Sequence, residues 1–307
     1  MDQTIEVAAE KPLWRRIVDF PLVAMVIAVL LFIFATALAH NLGKLVPSGL
    51  PSRGIVLGAI NLALVLMAYK LAIARLGERP RDDLPAQRSL PELGKGLGAG
   101  VALFSIAVAI AAAIGVYHIV GTGNASTLLL DLVIVGIVPA LVEELLFRGI
   151  LFRWVEEFGG SWAALLITSA LFGLAHILNP GATWFSSFSV AVEAGLLLGG
   201  AYMLTRTLWM PIGLHAAWNF TQGGIFGVPV SGHVSHGLVQ ATLSGPALLS
   251  GGAFGLEASV IALIVCTAAG VWLVVLAMKH GQLMQPWWVR RRELSASIPL
   301  QDRAPVR

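Results

Sequence analysis

The sequence predicts an all-α integral membrane protein, a polytopic bundle of about eight transmembrane helices with both termini in the cytoplasm. Its mean hydropathy is +0.82, and 57% of its 307 residues are hydrophobic. Only 12% of the residues are charged, about half of the roughly 25% that is usual in soluble domains. In addition, many apolar segments approach the ~20 residues that a helix needs to cross a bilayer.

Eight segments have this length and character, and residues typical of turns (Pro, Gly and Ser) separate them. They are approximately residues 18–39, 54–74, 94–118, 127–152, 161–178, 184–205, 210–226 and 257–278. The first segment is longer than the apolar region of a signal peptide, which has about 7–15 residues. We therefore interpret it as a span that the mature protein retains.

The distribution of Lys and Arg predicts the orientation. If the N-terminus is cytoplasmic, all but two of the 20 Lys and Arg residues fall on the cytoplasmic side of these segments. The exceptions are Lys44 and Arg53, and the predicted outer loop 227–256 contains neither residue type. Loops rich in Lys and Arg stay in the cytoplasm, so this bias places both termini there.

The chain divides into three parts. Residues 1–126 hold the first three spans and a polar cytoplasmic loop, 75–93; residues 127–226 hold the polar motifs described below; and residues 227–307 hold the outer loop, the last span and a basic tail. The basic residues lie beside apolar segments, so the predicted partner is the lipid bilayer and not nucleic acid. The single cysteine, Cys266, lies in an apolar run and excludes a disulfide framework or a cysteine metal cluster.

The residues that predict chemistry begin with an acid pair inside the fourth apolar segment. Glu143 and Glu144 are surrounded by Leu and Val, and Arg148 follows one turn later. An ionisable side chain at the bilayer centre costs ~2.5–3.5 kcal/mol, so each must be paired or must line a wet cavity. Glu144 and Arg148 are four residues apart and can form an ion pair on one helix face, which could be purely structural. Glu143 is then left to point elsewhere.

Two histidines and an amide add to this pattern. His176 lies in the fifth apolar segment, and His215 and Asn219 lie four residues apart in the seventh, so these two share one helix face. A single histidine in an apolar helix is more often a hydrogen-bonded core residue than a catalyst. Together with the acid pair, these side chains predict a polar site, because each would otherwise leave polar atoms unsatisfied in hydrocarbon.

Spacing predicts the depth of this site. Gly159-Gly160, the predicted turn between spans four and five, lies midway between Glu143 and His176. In an antiparallel hairpin both side chains then lie at one level, ~24 Å from the turn. His215 is about one turn from its own cytoplasmic loop. It therefore lies at the level of Glu143 and His176 only if the hairpin of spans four and five projects into the cytoplasm. This predicts a shallow site that faces the cytoplasm.

Further acids and histidines are harder to assign. Glu193, in the sixth segment, could belong to the site, pair with a histidine or be a protonated structural residue; we favour a supporting role. His233 and His236 have His-x-x-His spacing. With no accompanying acid and a position on the far side from the glutamates, they are only a weak indication of a metal site.

An acid, two histidines and an amide in a wet pocket suit the activation of water. Glu143 can act as a general base and His176 can share the water, while His215 and Asn219 can donate hydrogen bonds to the oxyanion that forms when a carbonyl is attacked. Glu143, His176 and His215 would also be an acceptable ligand set for a divalent metal such as zinc. The chain has no Gly-x-Ser-x-Gly elbow, His-Glu-x-x-His motif, P-loop or dinucleotide fingerprint.

Three motifs stand in order on successive predicted helices: Glu143-Glu144-x-x-x-Arg148, Phe172-x-x-x-His176 and His215-x-x-x-Asn219. This arrangement resembles the type II CAAX prenyl endopeptidases, also called the CPBP (CAAX protease and bacteriocin-processing) or Abi family of intramembrane proteases. The resemblance covers roughly residues 127–226.

The resemblance implies an intramembrane endopeptidase that acts on a membrane-associated peptide or protein. It implies that Glu143 and His176 activate the water, and that His215 and Asn219 stabilise the oxyanion. Glu144 and Arg148 would support the site. The family is described both as metalloproteases and as glutamate-dependent proteases, so zinc stays an alternative. Bacterial relatives are linked to peptide processing and bacteriocin self-immunity.

Two other functions compete with this interpretation. Buried Glu and His also build proton relays, so a proton- or ion-coupled transporter is the main alternative, although the chain has no paired half of the kind common in transporters. The second is a non-catalytic immunity or scaffold protein in which the same residues form a polar core. The Ala-, Leu- and Gly-rich composition favours a bacterial plasma membrane. The depth of the polar residues, described above, predicts an active site that faces the cytoplasm.

Overall fold

A computed structural model of the protein describes residues 11–50, 52–78 and 81–297. Within these ranges the chain is mostly helical. Its α-helices are α1 (Leu13–Asp19), α2 (Pro21–Gly43), α3 (Arg53–Arg75), α4 (Ser89–Ala113), α5 (Leu128–Asp131), α6 (Val138–Glu144), α7 (Arg153–Ala175), α8 (Trp184–Thr205), α9 (Trp209–Phe220), α10 (Ala247–Ser250), α11 (Val260–Lys279) and α12 (Trp287–Ser297). Wider, π-helical segments are Leu132–Ile137, Leu145–Phe152 and Thr221–Ile225, and short 3-10 turns are Ala86–Arg88, Ala125–Thr127, His176–Leu178 and Leu256–Ala258.

Six helical stretches of the described chain are long and apolar enough to cross a membrane. They are Pro21–Gly43, Arg53–Arg75, Ala86–Ala113, Ala125–Leu178, Trp184–Thr205 and Val260–Lys279. The predicted number of eight is therefore not confirmed. One reason is that a single stretch holds the predicted fourth and fifth spans; the other is that the predicted seventh span consists of the 12-residue α9 and one π-helical turn.

The stretch Ala125–Leu178 folds back on itself at Gly160. This residue has φ 82° and ψ 170°, a backbone region that is essentially restricted to glycine. A Cβ there would also lie 2.9 Å from the carbonyl oxygen of Met284. As a result, Phe147 and Phe172, on opposite sides of the turn, have ring centroids 4.8 Å apart. The hairpin brings the acid motif and His176 to one level of the bundle.

Helix α9 is held by close packing against α4. A Cβ on Gly100 of α4 would lie 2.4 Å from the carbonyl oxygen of Leu214, so only glycine lets the two backbones approach this far. Small residues commonly serve this purpose between membrane helices, where apolar burial drives little association. The contact fixes the position of His215 and Asn219, which lie on the same helix as Leu214.

Buried ion pairs close one end of the bundle. Arg153, only 2% exposed, donates to Asp83 over 2.8 Å and to the carbonyl oxygen of Arg81 over 2.7 Å. Nearby, Arg206 donates to Glu156 over 2.6 Å. The predicted polar loop 75–93 is thus tied to α7 through a fully buried Asp83, and its last residues already belong to α4. We call this the basic end, formed by residues 11–20, 81–92, 153–161, 202–209 and 280–292.

The opposite end, which we call the loop end, contains the departures from an all-α fold. Strands β1 (Tyr117–Thr122) and β2 (Val239–Leu243) pair antiparallel, with Tyr117 opposite Leu243. The predicted third span therefore stops at Ala113, before β1. The predicted outer loop 227–256 also folds back into the bundle, where four of its apolar side chains are buried: Val228, Val230, Phe254 and Leu256. The loop end comprises residues 43–50, 52–53, 114–127, 176–183 and 226–259.

Candidate active site

The acid motif lies where α6 passes into the π-helical segment Leu145–Phe152. Glu144 and Arg148 form an ion pair of 2.9 Å, and their side chains are 0% and 1% exposed. A second guanidinium nitrogen of Arg148 donates to the carbonyl oxygen of Ala194 in α8 over 3.0 Å. Breaking one partner of such a buried pair is strongly destabilising, because the other charge is left uncompensated. The pair therefore links the motif helix to α8.

Glu144 also orients His215. Nδ1 of His215 lies 2.9 Å from Oε1 of Glu144, the same oxygen that accepts from Arg148. Because a carboxylate only accepts, Nδ1 carries the hydrogen, and the other ring nitrogen, Nε2, is left for a different partner. Nε2 lies 3.9 Å from Oε2 of Glu143. The second acid is thus positioned on the reactive side of the imidazole.

Glu143 differs from Glu144 in its surroundings. Its side chain is 30% exposed, whereas that of Glu144 is fully buried. Among the residues that the structure describes, Oε2 of Glu143 has no hydrogen-bond partner. This oxygen is itself buried, and a buried carboxylate oxygen without a partner can accept a hydrogen bond from a water molecule or a substrate group that enters the cavity.

His176 and Phe172 form the neighbouring wall. His176 is the first residue after α7, and its Nδ1 lies 2.7 Å from the carbonyl oxygen of Phe172. That contact occupies Nδ1 and leaves Nε2 for another partner. The Phe172 ring lies 4.7 Å from the His176 ring and 4.8 Å from the guanidinium carbon of Arg148. Phe172 therefore separates the buried ion pair from the more exposed histidine.

Asn219 completes the set from α9. Its Nδ2 donates to the carbonyl oxygen of Val135 over 3.3 Å, and Val135 belongs to the π-helical segment Leu132–Ile137. A π-helix pairs its backbone groups over a wider turn than an α-helix, and such segments are frequent at functional sites. The second hydrogen of the amide nitrogen remains for another acceptor.

All four predicted catalytic side chains line one cavity of about 380 Å³: Glu143, His176, His215 and Asn219. The predicted supporting residues Glu144, Arg148 and Phe172 lie behind this wall. Glu193 lines an adjacent pocket of about 50 Å³, which His176, His215 and Asn219 also border. Its Oε2 has no partner among the described side chains. The structure thus brings the residues of the sequence pattern together around two cavities that share His176, His215 and Asn219 in their walls.

The folded loop adds residues that the sequence pattern does not include. Glu257 is 5% exposed, lines the smaller pocket, and accepts a hydrogen bond from the backbone N–H of Ser231. Burial raises the pKa of Glu257 above its ordinary value, although the hydrogen bond from Ser231 and the nearby His176 act in the opposite direction. Glu257 is the first residue of the predicted eighth segment, a position where an acid normally indicates the membrane surface. The burial of the loop, which the sequence does not signal, is what brings it to the site.

His233 also lines the larger cavity, with its Nδ1 3.1 Å from the carbonyl oxygen of Ser231. The expectation that it lies on the far side from the glutamates is wrong, because the loop folds over the cavity that Glu143 lines. His236 is exposed and is not among the residues lining either cavity.

The donor chemistry of Glu143, His176 and His215 suits zinc. In the described part of the chain, however, no group of three or more His, Cys, Asp or Glu side chains converges closely enough to hold an ion. The 3.9 Å between Glu143 and His215 and the contact between His176 and the Phe172 carbonyl are consistent with this. The three side chains would have to move to bind a metal together.

A comparison with known protein families matches the part of the chain that carries this site. Residues 125–221 match the family model described as "Type II CAAX prenyl endopeptidase Rce1-like". Neither a curated protein nor a solved structure matches the chain. The matched residues include the three motifs, so the resemblance drawn from them is confirmed. The match covers 97 of the 307 residues, and the similarity to the Rce1-like type II CAAX prenyl endopeptidases is shown for this part of the chain.

Proposed function

We propose that the protein is an intramembrane endopeptidase that hydrolyses a peptide bond of a membrane-associated substrate. The family match supports a CAAX-type intramembrane protease in general. The observation that carries the finer proposal is the shared cavity: an acid, two histidines and an amide line one space of about 380 Å³. That combination supplies both a base for water and donors for an oxyanion.

In the proposed reaction, a water molecule lies between Glu143 and Nε2 of His176. Glu143 takes a proton from the water as its oxygen attacks the carbonyl carbon of the substrate peptide. The carbonyl oxygen becomes an oxyanion, which accepts hydrogen bonds from Asn219 and from His215 in its protonated form. When the tetrahedral intermediate collapses, the C–N bond breaks and Glu143 returns the proton to the leaving amine. The products are a carboxylic acid and an amine.

Glu144 and Arg148 act in this proposal as positioning residues. Glu144 accepts from Nδ1 of His215 and so directs Nε2 toward the cavity. Arg148 holds Glu144 in place and is itself anchored on α8. Partners of this kind behind a functional histidine typically change activity about 10–100-fold when they are removed.

Zinc held by Glu143, His176 and His215 is the alternative form of this proposal, in which the ion would polarise the bound water. Metal analysis of the purified protein beside the His176→Ala variant separates the two forms. Stoichiometric metal that is lost in the variant together with cleavage supports the metal form. Cleavage by metal-free protein supports the glutamate form.

The proposal is tested by reconstituting the protein in liposomes with a library of membrane-inserted peptides and detecting products by mass spectrometry. We expect cleavage by the wild-type protein and none by Glu143→Gln or His176→Ala. Matched controls are Glu78→Gln, an exposed loop acid, and His40→Ala, an exposed histidine of α2. Proton-coupled uptake of solute without any proteolysis would instead support a transporter. The composition supports a bacterial plasma membrane as the location.

A further inference from the structure

We infer that the active-site cavity opens on the extracytoplasmic side of the membrane, so that the substrate is a peptide segment presented at the outer surface. The substrate part of this inference rests on the proposed endopeptidase function, whereas the orientation does not. It replaces the expectation of a site that faces the cytoplasm, which assumed that the hairpin of spans four and five projects inward.

The first step is the position of the basic end. Aromatic and backbone contacts hold its parts together: the rings of Phe20 and Phe158 are 5.8 Å apart, and Ser161 donates to the carbonyl oxygen of Met284 over 3.0 Å. Leu208 likewise donates to the backbone of Asp83 over 2.7 Å. The N-terminal segment, the loop before α4, the turn at Gly160, the α8–α9 connection and the segment after α11 therefore share one end of the bundle.

The second step is charge. Most Lys and Arg of the described chain lie at the basic end or on the helix turns that enter it: Lys11, Arg15, Arg16, Lys70, Arg75, Arg81, Arg88, Lys95, Arg153, Arg206, Lys279, Arg290, Arg291 and Arg292. Arg148 is buried in its ion pair. Within the described ranges only Lys44 and Arg53 lie at the loop end. Since short loops rich in Lys and Arg are retained in the cytoplasm, the basic end is the cytoplasmic one.

The third step is the mouth of the cavity. Its lining includes Asn179, His233, Val234 and Ser235, all from the loop end. Val234 is 79% exposed, so this rim reaches the surface. None of the residues that line the cavity belongs to the basic end. The site is therefore reached from the loop end, where the described chain has only Lys44 and Arg53, and not from the basic end.

The fourth step is the packing between the site and the basic end. After Arg148 the chain continues through Ile150 and Phe152, both 0% exposed, to the buried Arg153. Tyr202 of α8 and Leu208 of the α8–α9 connection are also 0% exposed. This dense apolar layer and the ion pairs below it offer no route for a peptide between the cavity and the cytoplasmic end of the described structure.

The orientation restricts the substrate class. A peptide bond that remains in the cytoplasm, such as one near the C-terminus of a cytoplasmic protein, could not reach Glu143. A segment just outside a transmembrane span, or a secreted apolar peptide at the outer surface, could. The loop 227–256 contains no Lys or Arg, so a basic segment would meet no charge repulsion from it.

Cysteine accessibility tests the orientation without any need for activity. The single native cysteine, Cys266, is buried with 2% exposure, so the unmodified chain measures the background. Val234→Cys reports on the mouth, and Glu78→Cys, at an exposed loop position before α4, reports on the basic end. Both side chains are exposed, and neither change should affect folding. The probe is a membrane-impermeant maleimide added to intact cells and to permeabilised cells.

We expect Val234→Cys to be labelled in intact cells and Glu78→Cys only after permeabilisation. The reverse pattern, or equal labelling of both in intact cells, overturns the inference. The substrate class has its own test: a single-span reporter peptide whose scissile segment faces outward should be cleaved, and the same reporter inverted should not. If Val234→Cys is labelled in intact cells but only the inverted reporter is cleaved, the proposed substrate class is wrong. If Val234→Cys is labelled in intact cells and no peptide is cleaved, the proposed enzyme function is wrong, and the inferred orientation still holds.

Discussion

Nδ1 of His215 lies 2.9 Å from Oε1 of Glu144, although 71 residues separate the two along the chain. Arg148 donates to the same oxygen over 2.9 Å. One carboxylate therefore joins α9 to the motif helix and sets the direction in which the imidazole faces. The neighbouring Glu143, 3.9 Å from the other ring nitrogen, is left free for chemistry. The adjacent acids thus have different surroundings, and the roles proposed for them differ accordingly.

The first prediction concerns Glu144. Glu144→Gln keeps the size of the side chain but removes the charge that pairs with Arg148 and His215, so we expect kcat to fall about 10–100-fold. A purely structural role would lower the amount of folded protein and leave the pH profile of the remaining activity unchanged. We expect the pH profile of kcat to shift as well, because the carboxylate acts on the imidazole. An unchanged profile would contradict the positioning role.

The second prediction concerns Glu143. Glu143→Gln should reduce cleavage about 10²–10⁴-fold, the usual contribution of a general base. Stability should change little, within about 0.5 kcal/mol, because the side chain is 30% exposed and its Oε2 has no partner among the described residues. Thermal unfolding in detergent, measured beside Glu78→Gln, checks this. A variant that retains cleavage, or that fails to fold, would contradict the assignment.

The third prediction concerns Asn219. Asn219→Ala removes a donor to the oxyanion, so we expect kcat to fall about 10²–10³-fold with little change in KM, because the interaction forms in the transition state. Steady-state kinetics with one purified peptide substrate measure both constants. A rise in KM at constant kcat would instead assign Asn219 to substrate binding.

The fourth prediction concerns pH and Glu257. Burial raises the pKa of this carboxyl, so the folded protein holds the proton more tightly than the unfolded chain does. The stability from this group is therefore largest at low pH and is lost as the pH rises from about 4.3, the ordinary value, through the folded pKa. Glu257→Gln should remove this loss, so its melting temperature relative to wild type should increase with pH. An equal difference at every pH would contradict the argument.

The fifth prediction concerns the turn that forms the hairpin. Gly160→Ala should lower the free energy of unfolding by about 1–3 kcal/mol, the cost of a strained backbone conformation, with more lost to the contact with Met284. Gly98→Ala is the matched control, since a Cβ there meets nothing within 4 Å. It should be neutral or slightly stabilising in its helix. Equal melting temperatures for the two variants would show that the turn tolerates a side chain.

The sequence was sufficient to predict the hairpin that aligns Glu143 with His176, because helix rise and a central Gly-Gly turn determine that level. The four-residue spacing of Glu144 and Arg148 likewise predicts their ion pair. The sequence did not predict that the loop 227–256 folds back, because its burial depends on long-range contacts such as the pairing of β1 with β2. Glu257 and His233 reach the site only through that fold.

The same limit applies to the side of the membrane that the site faces. Hydropathy treats each apolar segment as an independent span, so it predicts a full crossing for residues 210–226, where the structure has the 12-residue α9 and one π-helical turn. The position of His215, about one turn from a predicted cytoplasmic loop, is what predicts a site that faces the cytoplasm. The side from which the cavity opens depends on which loops form its rim, and local sequence carries no information on this.

The central claim is that Glu143 activates water for attack on a peptide bond in this cavity. The most direct measurement is cleavage of the membrane-peptide library in ¹⁸O-labelled water, with mass spectrometry of the products. The account predicts that the wild-type protein incorporates one ¹⁸O atom into each new C-terminal carboxylate and that Glu143→Gln yields no product. Product formation by Glu143→Gln at the wild-type rate, or the absence of any product from the wild-type protein across the library, would contradict it.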